Sequence, residues 1–122
     1  MERVIITRPF ARWLSRSGLR PAELRAATIE MTAGLIDVDL GGGVYKKRIA
    51  LPGGGKRGGA RVLIATRFKH RWFFIYGFNK SDSSNITKAE LKGLKALSLE
   101  LLSLDELELA GALASGVLIE VK

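Results

Sequence analysis

Cysteine is absent from this chain, and histidine occurs once, at position 70. The first absence excludes disulfides, zinc–thiolate sites and cysteine nucleophiles. The second excludes any mechanism that divides acid and base between two imidazoles. No eighteen consecutive apolar residues occur, so no membrane-spanning helix is expected. The opening Met-Glu-Arg-Val-Ile-Ile turns polar too soon for a signal peptide. A reduced, cytoplasmic protein is the expectation. The sharpest absence is local. Between Val44 and Lys80 there is no Asp or Glu, although ten of the twenty Lys and Arg residues lie there. Metal-assisted phosphoryl chemistry needs clustered carboxylates or histidines, and this stretch offers only His70. Neither a metal nor another cofactor is therefore expected.

What is present is a globular composition, 47% hydrophobic and 26% charged, in 122 residues, enough for one domain over 1–122. The formal net charge is +8, which favours nucleic acid or an acidic protein as partner. A surface built from Val44–Lys80 would be cationic with no internal neutralisation, as proteins that meet phosphate are.

The β-branched run Val4-Ile5-Ile6 predicts a short first strand within Arg3–Thr7. Pro9 suits a first helical turn, with Thr7 or Arg8 just outside. Phe10, Trp13, Leu14 and Ser17 follow at helical spacing, and Gly18 stops the helix. Pro21 restarts a second helix, marked by Leu24, Ala27, Met31 and Leu35, with Gly34 at its end. The two form a helical hairpin. Ile36–Gly43 reads as a loop. The period then changes, and Val44–Leu51, Ala60–Phe68 and Trp72–Phe78 read as strands of an antiparallel sheet. A Gly-rich loop, Pro52–Gly59, joins the first two; Lys69, His70 and Arg71 make the tight turn between the last two. Thr87-Lys88-Ala89-Glu90 is a capping box with Ile86 and Leu91 as hydrophobic staple. Ser103-Leu104-Asp105-Glu106 repeats the pattern, with Leu102 and Leu107 as staple. Gly116 stops the last helix, and Val117–Val121 is a short strand or an ordered tail. The fold class is α+β: an N-terminal helical hairpin, a small antiparallel sheet, and C-terminal helices packed on one side.

Within the sheet, Tyr45, Lys47 and Ile49 share one face and Lys46 and Arg48 the other. Arg61 interrupts an apolar strand, where Arg is seldom placed without a carboxylate or phosphate to meet. A salt bridge to a helix acid and an open phosphate contact stand as equal readings. His70 reads as a solvated turn residue and Lys80, by itself, as a solvated strand end. Trp72, Phe73, Phe74, Tyr76 and Phe78 read as core rather than base-stacking platform. The run GGGKRGG lacks P-loop spacing and does not lead from a strand into a helix.

Five ordered blocks carry a resemblance: GLIDVDLGGG (34–43), KKRI (46–49), PGGGKRGGAR (52–61), FFIYGFNK (73–80), and Asn85-Ile86 before a Lys- and Leu-rich helix. From about Phe10 to Val121 the chain is similar to the RelE/HigB-type toxins of bacterial type II toxin–antitoxin systems. The resemblance implies a compact microbial ribonuclease-like fold and metal-independent cleavage of mRNA in the ribosomal A site, by attack of the 2′-hydroxyl on the adjacent phosphate. It places catalytic cations at Lys46 or Lys47 with Arg48, at Arg61 and at Lys80. Lys46 and Lys47 beside Arg48 are the lysines expected to exchange a proton, since crowded like charge eases its loss. Lys56, Arg57, Arg67, Lys69 and Arg71 are the further expected RNA contacts. Tyrosine is missing near Ile86, where the best-studied members carry one, so proton transfer would rest on Lys or on the ribosome. The implied partner is a cognate antitoxin, of helix-turn-helix type. Two alternatives accompany this reading: a ParE-like, non-enzymatic inhibitor of DNA gyrase, and an inactive RNA-binding module.

Overall fold

The computed structural model describes residues 2–51, 55–80 and 86–122, and the side chains of residues 55–58 lie outside the description. The elements in order are β1 (Arg3–Thr7), α1 (Arg8–Ser17), α2 (Pro21–Thr32), β2 (Val38–Gly41), β3 (Val44–Leu51), β4 (Gly55–Thr66), β5 (Arg71–Asn79), α3 (Lys88–Leu102), α4 (Glu106–Ser115) and β6 (Leu118–Val121). They form an α+β fold around a six-stranded sheet of order β2-β3-β4-β5-β1-β6. The sheet is antiparallel except where β1 runs parallel to β5.

Each face of the sheet buries its own core. On one face α1 and α2 bring Phe10, Leu24, Ala27 and Met31 onto Val4, Ile6, Val62, Ile64, Trp72 and Phe74. On the other, α3 and α4 bring Leu101 and Leu109 onto Ile5, Val44, Leu63, Ala65, Phe73 and Ile75. This is why β1 and β5 read as continuous apolar runs: strands covered on both sides need apolar residues at every position. Trp72, Phe73 and Phe74 are fully buried, alternating between the two cores.

The helix signals act as their chemistry directs. Thr7 caps α1 by accepting from the Phe10 N–H, and Gly18 closes it in the left-handed conformation. Thr87 and Glu90 form the reciprocal capping box of α3. At α4 the box sits two residues later than the sequence pattern indicates. Asp105 is the cap and Glu108 its partner. Leu107 is 84% exposed and staples nothing. Asp is at least as good a cap as Ser, and the later start lets Leu109 reach the core. α2 ends at Thr32 with Ala33 as its cap, so Leu35 is exposed rather than part of its apolar stripe.

Three segments differ from the local reading. β2 lies within the expected loop and adds an edge strand to β3, its register broken by a bulge between Asp39 and Gly41. β6 is a strand, paired with β1. β4 begins at Gly55, so most of the expected Gly-rich loop is sheet. Glycine has low strand propensity, but here close approach demands it. A Cβ on Gly59 would lie 2.7 Å from the Ile49 carbonyl oxygen.

Candidate functional site

The β3–β4–β5 ladder fixes where the cations go. Lys46 stands opposite Leu63, and Leu63 opposite Tyr76. One step along, Arg48 stands opposite Arg61, and Arg61 opposite Phe78. Leu63 belongs to the core under α3, so both rows face that side of the sheet, beyond and beside the start of α3. Lys80 follows Phe78 by two residues, exposed just past the end of β5; its N–H bonds the Gly59 carbonyl. Lys46, Arg48 and Arg61 are therefore brought to one face by register, with Lys80 in the turn that follows β5.

Arg61 is half-buried, and among the described residues its guanidinium bonds only the Ala60 carbonyl, at 3.4 Å. No carboxylate among those residues lies within ion-pair distance of Arg61, Lys46 or Lys80. Arg48 is exposed and reaches Asp37 only at 3.9 Å. A lone Arg in a strand, with its fork unmatched by any described acid, keeps its donors for an anion.

Lys47 is placed differently. It points to the opposite face, where its Nζ lies 2.7 Å from Glu30 of α2 and its side chain is 8% exposed. Of the two adjacent lysines, only Lys46 shares a face with Arg61. Lys47 meets a carboxylate, not the crowded like charge expected from its neighbours in sequence.

The other expected RNA contacts also separate. Lys56 and Arg57 have side chains outside the described ones. Arg67, Lys69 and Arg71 sit at the far end of β4 and β5, six residues or roughly 20 Å along the strand from Arg61. There they line an open cleft of 320 Å³ with Arg3, His70 and Glu106. Arg67 donates to the Leu102 carbonyl, and Arg71 to the Leu104 carbonyl and to Glu106. These two guanidiniums tie the sheet to the α3–α4 turn. Lys69 and His70 are exposed in the turn.

Two residues that the sequence reading left out of the site join it. Tyr76 is half-buried in the first row, its ring 6.0 Å from that of Phe78, and its hydroxyl donates to Glu90 at 3.4 Å. Burial, and secondarily the Glu90 charge, raises the Tyr76 pKa, so it stays a neutral donor. Glu90 is held below the usual carboxylate range by its hydrogen bonds from Thr87, and so stays ionised. Its capping-box position identifies it only as a helix residue. The docking of α3 brings it over Tyr76.

This fold and this cationic face accompany a match to a known family. Residues 2–121 match the family described as the RelE toxin of the RelE/RelB toxin–antitoxin system. The chain belongs to the RelE toxin family. It is the toxin of a toxin–antitoxin pair, and an antitoxin is its partner. No curated protein matches it. In this RelE-type toxin, no group of three or more His, Asp or Glu side chains comes together among the described residues. No helix among them is long and apolar enough to cross a membrane.

Proposed function

We propose that this RelE-type toxin is a metal-independent, ribosome-dependent endoribonuclease that cuts mRNA in the A site and so stops translation in the cytoplasm. The observation that carries this reading is the pair of rows bearing Lys46, Arg48 and Arg61, with no described carboxylate within ion-pair distance of Lys46 or Arg61. Attack of a ribose 2′-hydroxyl on its own phosphate passes through a pentavalent phosphorane with one more negative charge than the ground state. Fixed cations on that face would stabilise it, each by about 2.7–4 kcal/mol if it behaves like an oxyanion-hole donor. Arg61 supplies a planar fork for two phosphate oxygens, Arg48 a second guanidinium, Lys46 an ammonium able to release a proton, and Lys80 a further cation where the strand ends. The products would be a 2′,3′-cyclic or 3′-phosphate end and a 5′-hydroxyl. Lys47, bound to Glu30 on the other face, is assigned to the fold and not to the chemistry.

The proposed antitoxin is a helix-turn-helix protein whose acidic surface covers the cationic face. Purification of the native toxin should recover a small DNA-binding partner; its absence would count against this assignment. The function itself is tested by induced expression followed by primer extension. Cuts within translated codons, abolished by Arg61→Ala, are expected. DNA-damage signalling without mRNA cuts would overturn the reading in favour of a gyrase poison.

A further inference from the structure

Four cations can hold a phosphate, but the reaction also needs a place for the proton that the 2′-hydroxyl loses on attack. A phenol and a carboxylate occupy the same face. Tyr76 is the third member of the Lys46–Leu63 row. It is also the diagonal neighbour of Arg61, at roughly 7–8 Å between backbones, within reach of long and aromatic side chains. Its hydroxyl donates to Glu90 Oε2 from above, where α3 begins. Glu90 is itself fixed by accepting the Thr87 N–H at 2.9 Å. Resting on the nuclease reading, we propose that Tyr76 and Glu90 form the proton relay of the site, with Tyr76 catalytic and Glu90 its positioning and charge-holding partner.

The step balances. Tyr76 Oη takes the proton of the ribose 2′-hydroxyl while its own proton passes to Glu90 Oε2. The freed electron pair forms the O2′–P bond and the P–O5′ bond breaks. The departing O5′ takes a proton from the Lys46 ammonium, which solvent then restores. Glu90 returns its proton through Tyr76 to water. The phenol never needs to ionise beforehand, which agrees with a Tyr76 held neutral and a Glu90 held ionised.

The test is single-turnover cleavage on mRNA-programmed ribosomes. Tyr76→Phe keeps the ring that packs against Phe78 and removes only the hydroxyl. Glu90→Gln keeps the capping geometry, since Gln serves at that position, and removes only the charge. Each should slow the chemical step about 100-fold, the lower end for general acid–base catalysis, at an unchanged half-saturating toxin concentration. The double variant should be no slower than the worse single one, because residues that act as a unit are not additive. A structural role would instead lower the melting temperature or shift half-saturation, and would not confine the loss to the chemical step. Cleavage by Tyr76→Phe at the wild-type rate, or a change confined to half-saturation, overturns the relay while leaving the nuclease reading intact. A wild-type protein that cuts nothing removes both together.

Discussion

Arg48 and Arg61 are directly opposed across the β3–β4 ladder. Like charges placed so destabilise a sheet by about 0.2–1 kcal/mol. The nearest described counter-charge, Asp37, stands 3.9 Å from Arg48 alone. Relief of this repulsion should therefore stabilise the toxin while disarming it. Arg48→Gln is expected to raise the unfolding free energy by about 0.2–1 kcal/mol, read as a higher urea midpoint, and to lower cleavage about 100-fold. Chemical denaturation beside primer extension measures both; a variant that loses stability would show that the pair does not repel.

Lys46 and Lys47 are adjacent in sequence and on opposite faces of β3, so they should separate in assay. Lys46→Met should lose cleavage and keep its stability. Lys47→Met should retain cleavage, because its buried stem is matched in shape by methionine. Glu30→Ala should cost about 1–3 kcal/mol, since it strands the Lys47 ammonium inside, the loss being moderated because Glu30 is half exposed. Equal loss of cleavage from both lysine variants would remove the face argument.

Gly77 lets Trp13 of α1 lie against β5. A Cβ there would come within 2.4 Å of the indole ring. Gly77→Ala should displace Trp13 and cost roughly 1–3 kcal/mol through overpacking. A shift in tryptophan fluorescence accompanying a lower melting temperature is the expected signature. An unchanged melting temperature would mean that α1 accommodates the methyl by sliding.

Arg3 and Glu120 bind in parallel through two hydrogen bonds of 2.9 Å, tying β1 to β6. The Arg3 bond is the main cause that lowers the Glu120 pKa below its ordinary 4.5. A lowered carboxylate stabilises the fold fully above that ordinary value and loses its contribution as pH falls through the folded value. Unfolding free energy followed from pH 7 towards pH 3 should thus decline less steeply in Glu120→Gln than in the wild type. Identical slopes would show that the pair is screened to nothing.

Much of this was legible in the chain because local physics decides it. Thr7, Gly18 and the Thr87–Glu90 box mark helix ends with their own hydrogen bonds, and strand alternation alone predicts that Lys46 and Arg48 share a face. What was not legible depends on partners distant in sequence. β2 has no apolar alternation of its own and becomes a strand by bonding β3. Gly59 sits in β4 where the Ile49 backbone comes close, a reason no glycine carries in its identity. Tyr76 read as core because its neighbours are core. Its hydroxyl acquires a partner only when Glu90, in the first turn of a later helix, is laid over it. Lys47 shows the converse, a cation in a cationic stretch whose acid comes from α2.

The pairing of β1 with β6 joins residues as far apart as Arg3 and Glu120, 117 positions along the chain. During synthesis β1 must wait for its outer neighbour until Leu118–Val121 have left the exit tunnel. Until then it is a bare sheet edge whose buried Ile5 lacks the cover that α4 and β6 bring. A nascent chain on its own ribosome is thus unfinished in the sheet that holds its cations until Leu118–Val121 emerge.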